Sequence, residues 1–293
     1  MIKPTGVGVW SAELRFGDPG KAAEAAAELD ELGFTALWIP DVGGPVLESV
    51  ENLLKSTEHA LVATGVLNLW MHDAAEVAAT YAELRSAYAD RFLLGIGVSQ
   101  AAVVDAAEPG RYRKPMAAMR AYLDDLDAAP IPVPREGRVL AAIGPKMLSL
   151  SAERAAGAHP YLATPDATRD AREALGVGPL LLPEQTVVLS SDADEARAIG
   201  RHFLNGYLAY ATYADKMLRS GFTAEDVETV SDRLVDAVVV WGDEDAILRR
   251  VDDHLAAGAD HVALQVLTGD QEGFPLPQWR RLGAALGDRA GKN

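Results

Sequence analysis

Cysteine is absent from this 293-residue chain, which excludes disulfides, thiolate catalysis, iron–sulfur clusters and cysteine-based zinc sites. The six histidines show no paired spacing, and neither HExxH nor HxxEH occurs, so no metal site is expected. The GxSxG turn of many hydrolases is also missing. No run of about 18 apolar residues occurs, and residues 1–6 lack the apolar core of a secretory signal. We therefore expect a cytoplasmic protein with no membrane partner.

Positive charge is scarce, because 27 lysines and arginines stand against 43 aspartates and glutamates, for a net charge of −16. Such a surface repels phosphate backbones, so nucleic acid is not expected as a partner. The same excess makes an anionic cofactor harder to bind. A lysine in a favourable local setting, such as Lys146, is therefore more informative than usual.

Eight short β-rich runs alternate with alanine-rich helical patterns. The runs are Gly6–Trp10, Ala36–Ile39, Leu61–Leu67, Phe92–Gly97, Val139–Ile143, Tyr161–Ala163, Thr186–Leu189 and His261–Leu267. Strands that alternate with helices predict a parallel sheet, and eight such units predict closure into an α/β (β/α)8 TIM barrel. An open doubly wound sheet is the alternative. No linker rich in proline and serine divides the chain, so residues 1–293 are expected to form a single domain.

Helix starts are marked by capping residues. They are Asp18 before Pro19, Asp73, Thr164 before Pro165, Asp192 with Glu195 three positions later, Thr223 and Asp243. The helix after Asp192 is predicted to run to about Leu218. About seventy residues separate Leu189 from His261 and hold three helical patterns, which we interpret as a helical insertion between strands 7 and 8.

The turn at Gly144 carries the strongest local signal. An apolar run stops at Gly144, and Pro145 takes the first helical position, where its missing N–H costs nothing. Helix N-termini attract anions, phosphate above all. Lys146 opposes the helix dipole there, which favours a bound anion beside Gly144, Pro145, Lys146 and Met147. The helix is predicted to end at Gly157.

Catalytic and ligand-binding residues of such barrels lie at the C-terminal ends of the strands. The residues placed there are Trp10, Ser11, Asp41, Asn68, Trp70, His72, Ser99, Gln100, Gly144 and Thr164. They suit a planar, hydrogen-bonding cofactor. Structural roles stay open, since Trp10 and Trp70 also fit as plugs of the barrel mouth, and Asp41 fits as a cap of a local turn. The glycine pairs 6/8 and 95/97 lack a dinucleotide fingerprint and are interpreted as places where strands approach closely.

In this order the motifs resemble the bacterial luciferase-like family of flavin- and deazaflavin-dependent oxidoreductases. The segments that carry the resemblance are LGFTALWI at 32–39, ATGVLN at 63–68, RFLLGIGVS at 91–99 and the unit at 144–164. The chain looks most like the actinobacterial members that use coenzyme F420. The resemblance implies a (β/α)8 barrel, a homodimer, and a cofactor ring in the barrel mouth.

The resemblance also implies roles for individual positions. Asp41 would lie beside the ring, and a non-prolyl cis peptide would lie near Leu67-Asn68-Leu69. Phosphate contacts would come from Ser99, Gly144, Lys146 and Thr164. Two positions depart from the family pattern: Gln100 stands where relatives often carry histidine or glutamate, and Val42 stands where some carry a catalytic histidine. These departures leave His72 as the candidate for proton transfer.

We therefore predict an F420-dependent oxidoreductase that transfers a hydride between deazaflavin C5 and a small organic substrate. Asp41 and His72 are the predicted catalytic residues. The predicted cofactor-binding residues are Trp10, Asp41, Asn68, Ser99, Gln100, Gly144, Pro145, Lys146, Met147 and Thr164. The alternatives are an FMN-dependent luciferase-like monooxygenase that receives reduced flavin from a partner reductase, and a non-catalytic barrel of the same family.

Overall fold

The computed structural model describes residues 3–270 and 273–290. Its strands are β1 (Gly6–Trp10), β2 (Ala36–Ile39), β3 (Leu61–Thr64), β4 (Leu67–Asn68), β5 (Phe92–Gly97), β6 (Arg138–Ala141), β7 (Gly157–His159), β8 (Leu180–Leu181), β9 (Glu184–Val188), β10 (Val240–Trp241) and β11 (His261–Val266). The helices before β7 are α1 (Glu13–Phe16), α2 (Pro19–Glu31), α3 (Val46–Ser56), α4 (Ala74–Ala87), α5 (Ala101–Ala107), α6 (Pro115–Ala128) and α7 (Pro145–Arg154), with a 3-10 turn at Arg135–Gly137. The later helices are α8 (Pro165–Leu175), α9 (Ala193–Leu208), α10 (Ala211–Arg219), α11 (Ala224–Thr229), α12 (Asp232–Val238), α13 (Glu244–Ala256) and α14 (Leu276–Ala290).

The strands form a closed parallel barrel. Hydrogen bonds join them in the order β11–β1–β2–β3–β5–β6–β7, with β8 on β7 and β9 on β11. The chain runs on from β8 into β9, where Leu182 N donates to Ala158 O at 2.9 Å and Ala263 N donates to Pro183 O at 3.0 Å. This segment therefore bridges β7 and β11. The predicted (β/α)8 barrel is confirmed, and the open-sheet alternative is wrong.

Glycines let neighbouring strands approach closely, as interpreted from the sequence. A Cβ on Gly8 would lie 2.4 Å from Ala36 O, and one on Gly95 would lie 2.0 Å from Thr64 O. Neither distance is sterically possible. Only glycine therefore allows the β1–β2 and β3–β5 contacts that narrow the barrel.

Strand boundaries agree with the sequence for β1, β2 and β5 and differ elsewhere. The run Leu61–Leu67 is divided into β3 and β4 by a cis peptide between Gly65 and Val66. The strand predicted at Tyr161–Ala163 is wrong, because the sixth barrel strand is β7. A Cβ on Gly157 would lie 1.9 Å from Leu180 O, so this glycine allows β7 to lie against β8. The helix predicted to reach Gly157 therefore ends at Arg154.

Predicted helix caps at Asp18, Asp73, Thr164, Thr223 and Asp243 accept backbone N–H bonds as expected. Asp192 also caps its helix, but the side chain of Glu195 bonds to Ser190 Oγ rather than completing a capping box. The helix predicted to reach Leu218 is interrupted at Ala209 and Tyr210. Tyr210 has extended backbone dihedrals there, so the chain changes direction between α9 and α10.

Two layers of apolar side chains stabilise the barrel. Most buried residues lie between the barrel and the surrounding helices. A smaller cluster that includes Trp38, Ala63 and Val139 lies inside the barrel. Helices α9, α10 and α12 pack around a further core with Leu204, Met217 and Leu234. No helix in the described ranges has the length and apolarity needed to cross a bilayer.

Candidate active site

A cavity of about 410 Å³ lies at the C-terminal ends of the strands, and we call it the central cavity. Five predicted cofactor-binding residues line it, namely Trp10, Asp41, Asn68, Ser99 and Gln100. The other lining residues are Pro40, Val42, Gly65, Val66, Gly97, Val103, Ala141, His159, Tyr161, Gly206, Tyr207, Tyr210 and Tyr213. Residues from the C-terminal ends of β1 to β7 therefore meet here, as barrel geometry requires.

Asp41 is the ionisable group with the most hydrogen bonds in this cavity. Its side chain has no solvent exposure. Oδ1 accepts from Gly43 N at 3.0 Å, while Oδ2 accepts from Asn68 N at 2.9 Å and from His72 Nε2 at 2.8 Å. Burial on its own raises the pKa of Asp41, but these three donors outweigh it and hold the pKa below its usual value. Asp41 is therefore an anion at neutral pH.

His72 lies on the far side of Asp41. It does not line the central cavity but an outer cavity of about 690 Å³, which Trp70, Arg111 and Tyr122 also line. An ionised carboxylate can only accept, so Nε2 of His72 carries the proton that it donates to Asp41. This placement differs from the direct proton exchange expected of His72.

Gly65 forms part of the floor of the central cavity. Trp10 Nε1 donates to Gly65 O at 2.9 Å, and the cis peptide that follows lies two to three residues before the expected position near Asn68. A Cβ on Gly65 would lie 2.7 Å from Trp10 Nε1 and 3.3 Å from His159 Nε2. Glycine thus lets Trp10 and His159 lie against the backbone here, where any side chain would clash with the Trp10 indole.

Two buried polar atoms on lining residues have no hydrogen-bond partner among the residues that the structure describes. One is Asn68 Nδ2, whose amide oxygen accepts from Trp70 N at 3.1 Å. The other is His159 Nε2. His159 Nδ1 bonds to Leu182 O at 2.6 Å, and burial lowers the pKa of His159 to about 4, so Nε2 is a bare acceptor at neutral pH. Buried polar atoms are rarely left unpaired, so this donor and this acceptor point to a ligand.

Aromatic side chains form one wall, which we call the tyrosine wall: Trp10, Tyr161, Tyr207, Tyr210 and Tyr213. Ring centroids are 5.4 Å apart for Trp10–Tyr161, 5.2 Å for Tyr161–Tyr207 and 5.3 Å for Tyr207–Tyr213. The hydroxyl of Tyr161 donates to Gln265 Oε1 at 2.6 Å and lies 2.9 Å from the hydroxyl of Tyr207. Barrel strand β11 and helix α9 are thereby connected across the cavity.

Two buried charged residues hold the backbone beside Tyr161. Glu184 Oε2 accepts from Leu162 N at 2.9 Å, and Lys216 Nζ donates to Tyr161 O and Leu162 O. Burial raises the pKa of Glu184 to about 7 and lowers that of Lys216 to about 7. Leu162 has a left-handed φ of 53°, which these side chains stabilise. The apolar run at 161–163 is consequently a loop.

The predicted phosphate turn lies away from the central cavity. Gly144 and Pro145 line a separate cavity of about 190 Å³, together with Lys216 and Arg219. Lys146 is exposed to solvent. Thr164 Oγ1 accepts from Ala167 N as a helix cap, and Met147 packs partly buried against the core. The structure therefore does not bring these residues into contact with Asp41 and Asn68.

Sequence reasoning missed His159, Tyr161 and the three tyrosines of the tyrosine wall that come from α9, α10 and the junction between them. A signal for the latter was present, since tyrosines at 207, 210 and 213 recur at the spacing of one helical face. His159 lies on a strand whose position was misassigned. No local pattern identified its free nitrogen.

Comparisons with known proteins agree with this architecture. The family model described as luciferase-like monooxygenase matches residues 4–129. A Mycobacterium tuberculosis protein, named as a proposed coenzyme F420-dependent oxidoreductase, is 24% identical over 330 residues, which cover 89% of this chain and 93% of that protein.

Solved structures share the fold. An F420-dependent secondary alcohol dehydrogenase, in complex with an F420–acetone adduct, superposes with a TM-score of 0.74 at 14% identity, covering 96% of this chain and 97% of that one. The oxygenating constituent of 3,6-diketocamphane monooxygenase from Pseudomonas putida, in complex with FMN, has a TM-score of 0.70 at 14% identity, with 95% and 96% covered. The resemblance stated from the sequence is thus confirmed: the chain matches the luciferase-like monooxygenase family over residues 4–129 and has the barrel fold of these enzymes throughout.

Proposed function

We propose that this chain is an F420-dependent oxidoreductase that transfers a hydride between deazaflavin C5 and a small organic substrate in the central cavity. The observation that carries the proposal is the cavity floor. There Gly65 lines the cavity beside two buried atoms that have no partner in the described part of the chain, the donor Asn68 Nδ2 and the acceptor His159 Nε2. The names of the M. tuberculosis relative and of the alcohol dehydrogenase support F420 as the cofactor.

The residues present fit such a cofactor ring. Ligand pockets typically span about 300–1,000 Å³, and the central cavity at about 410 Å³ is within that range. A planar heterocycle that carries both N–H and C=O groups would satisfy His159 Nε2 and Asn68 Nδ2 together. When bound, a deazaflavin supplies a carrier that accepts and donates hydride.

The protein's own contribution is positioning and control of water and protons. Asp41 remains ionised and accepts from the backbone N–H of Asn68, so its proposed contribution to catalysis is to hold Asn68 in place for the cofactor ring. His72 holds the carboxylate in place from the outer cavity and is proposed as a positioning residue. The tyrosine wall keeps bulk water from the reacting atoms.

The anionic part of the cofactor needs a separate site. We propose the turn at Gly144 and Lys146 for it, as predicted from the sequence. The end of β6 supports this arrangement, since its last residue, Ala141, lines the central cavity and the next residue, Ala142, lines the cavity at Gly144. Adjacent residues thus face the two cavities.

A second candidate is an FMN-dependent monooxygenase that receives reduced flavin from a partner reductase. The FMN complex of the Pseudomonas putida enzyme and the description of the matched family favour it. The floor described above would accept either ring, because both carry N–H and C=O groups on one edge.

Parallel equilibrium titrations separate these functions. Purified protein is titrated with F420 and with FMN, with cofactor fluorescence as the readout, and oxygen consumption is then measured with reduced FMN. Saturable F420 binding that is tighter than FMN binding, without oxygen consumption, supports the proposal. Tighter FMN binding with oxygen consumption supports the monooxygenase. Affinity for neither cofactor contradicts both and favours the non-catalytic barrel.

A further inference from the structure

We propose that the substrate taken by the central cavity is an uncharged organic molecule, and that carboxylates and other anions are excluded. This inference rests on the proposed function, because it names the substrate class of that same site. It follows from the charges and rings that line the cavity.

The charge of the lining is one-sided. Asp41 is ionised at neutral pH, whereas His159 is neutral. Among the residues that the structure describes, no lysine or arginine lines the central cavity. An anion placed there would lose its hydration, would find no cation, and would meet the field of Asp41 in a medium of low dielectric.

Two nearby cationic residues, Lys216 and Arg219, do not line the central cavity. Nζ of Lys216 donates to the backbone oxygens of Tyr161 and Leu162. Its side chain, like that of Arg219, lines the cavity at Gly144 instead. The Tyr161 loop thus separates Lys216 and Arg219 from the central cavity. In the cavity at Gly144 they can bind the anionic part of a cofactor but not a substrate.

The tyrosine wall offers stacking surfaces to planar molecules, and the hydroxyls of Tyr161 and Tyr207 are already engaged with each other and with Gln265. The side chain of Asp41 has no solvent exposure and already accepts three hydrogen bonds, so an incoming ammonium or amidinium group would have to displace a donor to form a close ion pair. An uncharged molecule avoids this cost.

Three isosteric probes test the inference without a cofactor: benzamide, benzoate and benzamidinium, which differ in charge at nearly constant shape. Dissociation constants are measured at neutral pH by ligand-observed saturation-transfer NMR. Benzamide is expected to bind, and benzoate is expected to bind at least about tenfold more weakly. Benzoate binding equal to that of benzamide, benzamidinium binding about tenfold tighter than benzamide, or absent benzamide binding each overturns the inference.

A charge-removing variant assigns the effect to the cavity. Asp41→Asn should reduce the difference between the dissociation constants of benzoate and benzamide. Glu173→Gln, the same charge change at an exposed position on α8, should leave this difference unchanged. If both variants reduced the difference between the two dissociation constants equally, the net charge of the protein and not the cavity would exclude anions, and the inference would be overturned. If Asp41→Asn does not fold, the three probes with wild-type protein decide. Because F420 is titrated separately, a failure of cofactor binding is distinguishable from a failure of charge selection.

Discussion

His72 donates its Nε2–H to Oδ2 of Asp41 across 2.8 Å, and the two residues line different cavities. The carboxylate therefore stands between the central cavity and a histidine in the outer cavity. Since an orienting partner fixes the geometry and ionisation of the group it binds, His72 acts on the central cavity through Asp41.

Replacing His72 by leucine tests this relationship. The pKa of Asp41 should rise, because burial remains while the largest lowering influence is lost. A lowered pKa stabilises the fold above the unfolded-state pKa of Asp41, and this contribution disappears as pH falls through the folded-state pKa. On acidification, His72→Leu should therefore begin to lose stability at a higher pH than the wild type. At neutral pH its free energy of unfolding should be about 2–3 kcal/mol lower than that of the wild type. Carboxyl-carbon NMR titration and urea unfolding measure the two effects.

The exposed His59 supplies the control, and His59→Leu should change neither quantity. If His72 exchanged a proton with substrate directly, His72→Leu would lower turnover by about 10²- to 10⁴-fold while Asp41 titrated unchanged. That result would contradict the positioning role.

Lys146→Ala tests the proposed anion site at Gly144. Lys146 is exposed, so its loss should leave the free energy of unfolding within about 0.5 kcal/mol of wild type. The F420 dissociation constant should rise by up to about fivefold, since a surface ion pair with phosphate contributes up to about 1 kcal/mol. Lys21→Ala, at an exposed position in the first turn of α2, is the matched control. An unchanged dissociation constant in Lys146→Ala would remove this lysine from the site.

Tyr161→Phe tests the connection between the barrel and α9. The variant leaves Gln265 Oε1 without its donor and Tyr207 without its hydroxyl partner. Removing one partner of a buried pair costs about 1–3 kcal/mol, which urea unfolding should register. Proteolysis at the α9–α10 junction should also become faster. Tyr210→Phe should have little effect, because the Tyr210 hydroxyl makes no side-chain bond to any residue in the described ranges; comparable losses in both variants would argue against the connection.

Acid stability should depend on three buried histidines. Burial lowers the pKa of His159 to about 4, that of His254 to about 3 and that of His261 to about 4. Between about pH 6.5 and pH 4 the unfolded chain binds protons that the folded chain does not, so the free energy of unfolding falls as pH falls. Each histidine should contribute on the order of 3 kcal/mol by pH 4.

Urea unfolding at about pH 7, 6 and 5 measures this slope. His254→Gln should make it shallower, whereas His202→Gln, at an exposed position, should not. An identical slope in the wild type and in both variants would contradict the histidine account.

Much of the barrel could be predicted because its signals are local. The strands at Ala36–Ile39 and Phe92–Gly97 are short apolar runs bounded by helix caps and glycines, and the structure has the same limits. Residues at strand ends, such as Asp41 and Asn68, then follow from barrel geometry alone.

The rest depends on contacts between distant segments. Tyr207 on α9 and Tyr213 on α10 both line the cavity, although the helix predicted to be continuous is interrupted between them, and the long-range bond from Tyr207 to Tyr161 spans 46 positions. The orientation of His72 toward Asp41 likewise depends on a turn 31 residues away. Such relationships leave no periodic pattern in the sequence, so they could not be predicted from it.

If the central cavity holds the cofactor ring, a bulky side chain added to its lining should block cofactor binding. Gly206 lines this cavity and has no atom within 4 Å of an added Cβ; Gly287 on α14 is equally open and lies outside the lining. Wild type and Gly287→Phe are expected to show saturable F420 binding with equal dissociation constants, and Gly206→Phe is expected to bind F420 at least about tenfold more weakly. Absent binding by wild-type protein, or unchanged affinity in Gly206→Phe, would mean that the ring does not lie in this cavity.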